Sequence, residues 1–360
     1  MIPVYQPHFT GREKEYVNQC LESSWISSKG EFIARFESAF SDYIGATYST
    51  SVCNGTVAIH LALEAIGLGP GDEVIVPTLT YIASVNTILQ AGATPVFVES
   101  LENTWQIDPS DVRRKITSKT KAIMAVHLYG QACDMDELLL ICREYGLFLV
   151  EDCAEAFGTL YKGRHVGTFG DIATFSFFGN KTITTGEGGM VVAKEQPTIE
   201  RAYHLKNQGV SRVKEYWHDS VAYNYRMTNI CAAIGLAQLE NADTVLAKKR
   251  QIAGWYRSGL AGLPLKTHDE QPGTTHSFWM CSILLNDAGL RTPLREHLRA
   301  AGIETRPLFY PSHTLPHCAT GQSFKVAESL AARGINLPSY PDLSQEQVHA
   351  ICAEIRNFLE

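Results

Sequence analysis

The sequence predicts an α/β fold: a mainly parallel β-sheet in a large domain, residues 1–245, followed by a smaller C-terminal α+β domain, residues 246–360. Three observations carry this. Short apolar strands alternate with helical patterns between Tyr48 and Ala156, as in a parallel sheet covered on both faces. The polar residues suited to chemistry fall at the carboxyl ends of those strands, where open α/β sheets bind ligands. From about Leu263 onward the alternation gives way to shorter, mixed elements.

In chain order, an extended start leads into a helix over Gly11–Ser23. The loop Trp25-Ile26-Ser27-Ser28-Lys29-Gly30 follows. Its aromatic, serines and lysine suit a binding mouth, or equally a plain loop that ends a helix. Phe32, Phe36 and Phe40 recur at helical spacing over Glu31–Tyr43. Tyr48–Thr56 reads as a strand that turns through Asn54-Gly55-Thr56 into a helix reaching Ile66. Free N–H groups at that helix start, with a glycine for close approach, make an anion site. Asn54 is also a good N-cap in its own right.

After the turn Gly69-Pro70-Gly71-Asp72 come a strand over Glu73–Pro77, a loop over Thr78–Thr80 and a helix over Tyr81–Ala91. Pro95–Val98 is a strand. Asp108-Pro109-Ser110-Asp111 opens a helix with a capping acid and a proline at the first helical position. Lys121–Val126 is a strand, Asp134–Tyr145 a helix, and Leu147–Glu151 a strand that runs into Asp152-Cys153-Ala154-Glu155. The segment Thr174–Met190 then places one lysine, Lys181, between Phe175, Phe177 and Phe178 and the glycine-rich turn Gly186-Glu187-Gly188-Gly189. Met190–Ala193 resumes as a buried strand. A mostly helical stretch, Ile230 to about Leu260, follows Asn224-Tyr225-Arg226-Met227-Thr228-Asn229. In the last third, Arg306, Tyr310 and His313 share a run that Pro307 and Pro311 keep extended. That run is a connector or part of a site wall.

The composition is that of an ordinary globular protein, 45% hydrophobic and 19% charged. A net charge of -7 gives no support to nucleic-acid binding or to a basic membrane-docking face. The first residues lack the apolar core of a signal peptide, and no apolar run of about 18 residues is present to span a membrane. Nine cysteines occur without zinc-type or CxxC spacing. They predict reduced thiols in a cytoplasmic protein and no metal site.

The chemistry centres on Lys181. An amine among apolar residues loses hydration, which favours its neutral, nucleophilic form, and a neutral amine can form a Schiff base. The rest of the chain holds what a lysine-bound pyridoxal phosphate (PLP) would need. Asp152, at the end of an apolar strand, suits the protonated pyridine nitrogen, since a buried carboxylate wants a cationic partner. Gly55, Thr56 and Ser176 offer N–H and hydroxyl donors for a phosphate. Tyr81 suits a ring cover, and Glu155 suits the phenolic oxygen.

These motifs together resemble the sugar aminotransferase family called DegT/DnrJ/EryC1/StrS. They are Asn54-Gly55-Thr56, Pro77-Thr78-Leu79-Thr80-Tyr81, His127-Leu128-Tyr129-Gly130, Glu151–Ala156, Thr174–Lys181, Thr184–Gly189, Gly235–Leu239 and Arg306-Pro307. The resemblance covers essentially the whole chain. It implies the fold type I, aspartate-aminotransferase-like architecture, with PLP as cofactor and pyridoxamine phosphate in the half-reaction. It implies Lys181 as Schiff-base lysine and general acid/base, with Asp152, Glu155, Tyr81, Gly55, Thr56 and Ser176 around the cofactor. Asn224 resembles the asparagine that reaches the phosphate from a neighbouring subunit, which implies a homodimer with shared active sites. Many members carry a histidine and a proline ahead of the lysine, where this chain has Phe178-Gly179-Asn180. That form is similar to the branch that aminates C4 of GDP-4-keto-6-deoxy-D-mannose from L-glutamate for O-antigen and lipopolysaccharide. A related branch aminates C8 of a 3-deoxy-octulosonic acid. Trp25, Ser27, Asn180, Arg226, Arg306, Tyr310 and His313 are the candidate substrate contacts, with Arg226 or Arg306 suited to a glutamate carboxylate. Two other classes are a PLP-dependent sugar dehydratase and a non-catalytic PLP-fold binding protein. Lys181 argues against the dehydratase branch that replaces this lysine with histidine.

Overall fold

A computed structural model describes residues 1–360. In chain order, the first strands are β1 (Tyr48–Val52), β2 (Glu73–Pro77), β3 (Thr94–Val98), β4 (Thr120–Val126) and β5 (Phe148–Asp152). A short hairpin of β6 (Leu160–Tyr161) and β7 (Arg164–His165) follows, and then β8 (Ile172–Ser176) and β9 (Gly189–Ala193). The central sheet has seven strands in the spatial order β1-β9-β8-β5-β4-β2-β3. From β3 to β8 every pairing is parallel, as the alternation of strands and helices predicts. Strand β9 is inserted antiparallel between β8 and β1.

Both faces of the sheet are buried, so the inner strands are apolar throughout. Successive residues serve opposite cores: Val74 and Val76 of β2 lie in one and Ile75 in the other, and Met124 of β4 opposes Ile123 and Ala125. The helices Gly55–Ala65, Ala83–Gln90 and Gln196–Lys206 pack on the first face. Glu31–Ile44, Met135–Tyr145 and Asn229–Glu240 pack on the second, where Phe32, Phe36 and Phe40 are all buried.

Three elements differ from the sequence reading. The helix expected at Tyr81 begins at Ala83, which leaves Tyr81 in the preceding turn and free to lean over the sheet end. The long helical stretch is two helices, Asn229–Glu240 and Ala242–Gly259, broken at Asn241. The helix Gln196–Lys206 falls where the pattern assigned nothing, because its apolar stripe is only Ile199, Ala202 and Leu205.

The C-terminal elements are β10 (Leu265–Thr267), β11 (Thr274–Thr275), β12 (Cys281–Leu285), β13 (Arg306–Pro307) and β14 (Gly334–Leu337). A four-stranded antiparallel sheet, β10-β12-β14-β13, packs with the helices Arg291–Ala300 and Gln345–Leu359 around a core of its own. Strand β11 instead joins β6 and β7. The helix Ala242–Gly259 puts Ala242 and Leu246 in a core of the central sheet and Ile252 and Tyr256 in that of the smaller one, so it ties the two together. No helix is long and apolar enough to cross a membrane.

A histidine relay makes a second tie. The Phe278 N–H donates to Nδ1 of His276 at 2.8 Å, and Nε2 of His276 meets Nδ1 of His268 at 3.4 Å. Nε2 of His268 then meets the Thr104 carbonyl at 3.0 Å, and the His268 ring stacks on Trp105 at 4.0 Å. The relay needs one proton per ring, so both imidazoles are neutral tautomers. Burial depresses both, His268 to about 4 and His276 well below the usual histidine value. A base whose folded pKa is lowered gives stability that is complete above its unfolded value and is lost as pH falls toward the folded one. The urea midpoint is therefore expected to drop between about pH 6.5 and pH 4, by about 3 kcal/mol for His268 alone over the full window. A flat midpoint from pH 7 to pH 5 would contradict the neutral relay.

Candidate active site

The parallel strands deliver their ends to one cavity of about 480 Å³. At one end, β1 turns through Asn54 into the helix Gly55–Ala65. Oδ1 of Asn54 accepts from the Val57 N–H at 3.0 Å, which caps the helix and leaves the Gly55 and Thr56 N–H groups facing the cavity end. Gly55 is required there: a Cβ would stand 2.6 Å from that of Ser176. Gly189 is required for the same reason, because a Cβ would come within 2.6 Å of the Asn54 carbonyl. The glycine-rich turn thus lets β9 pack hard against an anion-binding helix start.

Asp152, the last residue of β5, is 4% exposed. Its Oδ2 accepts from the Ser84 hydroxyl at 2.7 Å and its Oδ1 from the Ala154 N–H at 3.0 Å. Thr80 is hydrogen-bonded to Ser84 at 3.0 Å, so two buried hydroxyls fix the carboxylate in place. Glu155 accepts from the Tyr129 N–H at 2.7 Å. Burial raises its pKa to about 7, with the Lys181 charge pulling the other way. Burial lowers the Lys181 amine from the usual lysine value, against the pull of Glu155 and Asp152. The lysine is held at both ends. The Tyr5 hydroxyl donates to its carbonyl at 2.5 Å, and its Nζ lies 4.0 Å from the centre of the Trp279 ring. Tyr81, 55% exposed, leans toward Phe309 across the cavity mouth, their centroids 5.4 Å apart.

These residues fit pyridoxal phosphate. A dry carboxylate, a dehydrated amine and a glycine-built anion site with a nearby hydroxyl line the same space, and an aromatic ring stands over it. Gly55, Thr56, Tyr81, Asp152, Glu155, Ser176, Asn180 and Lys181 all line it.

The other expected site residues lie elsewhere in this chain. Asn224 accepts from Arg226 Nε at 2.9 Å beside the end of β1, and neither lines the cavity. Trp25 is 56% exposed, and the Ser27 carbonyl accepts from the Asn229 N–H. Arg306 pairs with Glu304 and Tyr310 is exposed, and neither lines the cavity. His313 is buried, with its ring between Thr78 at 2.7 Å and Glu328 at 3.2 Å, packed on Phe324. Both ring nitrogens are engaged, so it links the loop after β2 to the helix Lys325–Arg333. Sequence reading missed Trp279, Phe309 and Glu187, which line the cavity, and Tyr5, which clamps the lysine backbone. Glu187 could have been read from the glycine-rich turn. The other three reach the cavity only through tertiary packing.

His127, Glu151 and Cys153 cluster beneath the cavity with ligand atoms within 4.8 Å of one another. The lone pairs of Glu151 and His127 are already engaged. Glu151 accepts from His127 and from the N–H groups of Gly167, Phe169 and Gly170, and His127 Nδ1 accepts from the Cys133 N–H. Its chemistry is that of a brace beneath the site.

Known proteins are similar to this chain over nearly its whole length. The GDP-perosamine synthase of Escherichia coli O157:H7 is 58% identical over 358 residues, which is 99% of this chain and 98% of that protein. The GDP-perosamine synthase of Vibrio cholerae is 55% identical over 363 residues, 99% of each. The crystal structure of S. venezuelae DesV in complex with a ketimine intermediate superposes with a TM-score of 0.92 at 34% identity, over 99% of both chains. The model of the DegT/DnrJ/EryC1/StrS aminotransferase family matches residues 7–356, and the chain belongs to that family.

Proposed function

We propose that this aminotransferase moves an amino group from L-glutamate to C4 of GDP-4-keto-6-deoxy-D-mannose, giving 2-oxoglutarate and GDP-perosamine. The observation that carries the reaction type is the Lys181 amine, dehydrated and facing a cavity between two carboxylates. The choice of sugar is supported by the two relatives named for that product, which match nearly the full chain.

Pyridoxal phosphate, when bound, supplies the electron sink that makes the α-proton of the donor acidic. Gly55, Thr56 and Ser176 would hold its phosphate, Asp152 its ring nitrogen and Glu155 its phenolic oxygen, with Tyr81 as the ring cover. Lys181 Nζ takes the α-proton in one half of the cycle and returns a proton to the sugar carbon in the other. One group can do both only with a pKa near working pH, the direction in which burial moves this amine.

A second copy of the chain completes the site. The segment before Asn224 exposes Val213 and Tyr216, each 96% exposed, and Val221, 91% exposed. Apolar exposure of this size suits an interface. Packed on a second copy, the segment would bring Asn224 to the partner's phosphate end and Arg226 to a glutamate carboxylate. Arg226 is the better of the two arginines, because Arg306 is already paired with Glu304. Trp25, Ser27, Asn180 and Tyr310 are left to meet the sugar and its nucleotide. Nine free cysteines, most of them buried, suit a reducing cytoplasm.

The test is spectral. The chain loaded with pyridoxamine phosphate is mixed with GDP-4-keto-6-deoxy-D-mannose, and the return of the pyridoxal absorbance is followed with formation of the amino sugar. Return of the band supports the assignment. No response to this sugar but one to an 8-keto-octulosonate replaces the substrate, and silence with both rejects amino transfer to either.

A further inference from the structure

We propose that Trp279 holds the ammonium form of Lys181, its indole face taking up the charge each time the amine gains a proton. The proposal rests on the reading of Lys181 as the proton-moving group. It concerns a residue of the C-terminal part, just ahead of β12, which no site motif includes.

The geometry is that of a fixed platform. Trp279 is 4% exposed and lines the cavity. Its Nε1–H donates to the Asn180 carbonyl at 2.7 Å, so the ring cannot turn. Tyr129 lies parallel to it, with centroids 6.1 Å apart and planes 7° apart. Lys181 Nζ stands 4.0 Å from the ring centroid, well inside the reach of about 6 Å at which a tryptophan face attracts a cation. The hydrogen-bonded carbonyl belongs to the residue next to the lysine, so one side chain fixes the backbone beside Lys181 and receives the end of its side chain.

A base that takes a proton in a partly enclosed cavity creates a charge there, and that charge must be stabilised without being locked in. Another carboxylate beside Asp152 and Glu155 would hold the lysine permanently as a cation. A ring quadrupole pulls more weakly and bears no charge to be desolvated when the amine is neutral. It lowers the energy of the ammonium while leaving the proton free to move on.

The experiment varies the quadrupole and leaves the shape almost unchanged. Trp279 is replaced site-specifically with mono-, di- and tetrafluorotryptophan in the full chain, with and without pyridoxamine phosphate. The rate of Lys181 acylation by acetic anhydride is then read by peptide mass spectrometry across pH. The Lys181 pKa is expected to fall stepwise with fluorine count, by about one unit for the tetrafluoro ring, a tenfold rise in the neutral fraction. A pKa that does not move along the series would show that Trp279 only packs against the lysine, and would overturn the proposal. Acylation reads the amine whether or not the chain transfers amino groups, while the sugar titration of the unmodified chain tests amino transfer itself. The two can therefore fail separately.

Discussion

Replacing Lys181 with alanine is expected to slow amino transfer by about 10⁴-fold or more, the upper range for the loss of a positioned acid/base. The fold is expected to survive. Burial works against the charged amine, so its removal deletes a desolvated group and leaves the main hydrogen bonds of the site in place. Asp152 keeps Ser84 and Ala154, Glu155 keeps Tyr129, and the Gly55–Thr56 turn keeps its Asn54 cap. Cofactor is therefore still bound, now without a covalent anchor. The check is a single-turnover measurement with glutamate, with cofactor content measured in parallel. Methylamine should restore part of the rate by acting as a diffusible base. A Lys181→Ala variant that keeps more than a few per cent of its rate without added amine would remove the lysine from its role.

The largest expected stability effect lies beneath the site. Glu151→Gln is expected to cost about 3–5 kcal/mol, the scale for breaking a buried charged network from one side. Glu151 is fully buried. Its Oε1 accepts from the N–H groups of Phe169 and Gly170, at 2.8 and 2.6 Å. Its Oε2 accepts from Gly167 at 2.7 Å and from His127 at 3.1 Å. Burial alone would raise this carboxyl, but His127 and these backbone donors outweigh it and hold it below the usual range. Glutamine has the same shape but must present an NH₂ on one side, where two N–H donors already point. Urea unfolding at pH 7 measures the loss. A drop of less than about 1 kcal/mol would mean that the loop before β8 can re-satisfy its donors with water.

The parallel core was legible because its physics is local. Strands buried on both faces are apolar runs, and turns and caps such as Asn54 and Asp108 mark where helices begin. The cofactor cradle was legible for the same reason, since each piece sits at a strand end. Its partners from the smaller sheet were not. Trp279 belongs to an apolar run, Phe278 to Cys281, that reads like any core segment, and only tertiary packing brings it to Lys181. His313 shows the opposite case. A histidine beside Arg306 and Tyr310 reads as a site residue, and its nitrogens meet the loop after β2 and the helix Lys325–Arg333. The antiparallel entry of β9 was also hidden, because an apolar strand looks the same in either direction.

That entry sets a timetable for synthesis. Strand β1 has no neighbour in the sheet except β9, to which it pairs from Tyr48 with Ala193 to Val52 with Gly189. As the chain leaves the ribosome, β1 and the turn after it must wait, unpaired, until residues far downstream emerge. Contacts so distant in sequence form late, because a long loop must close first. The strands from β2 to β8 can zip together in the meantime by parallel crossovers. A nascent chain halted before Gly189 should therefore carry a formed inner sheet and a loose amino-terminal edge, open to proteases around Thr50. The hydrogen bonds that close that edge also seat the Asn54–Thr56 turn, proposed to hold the phosphate, against Gly189, so the capacity to retain a phosphorylated cofactor would arrive in one step, with the last strand of the sheet.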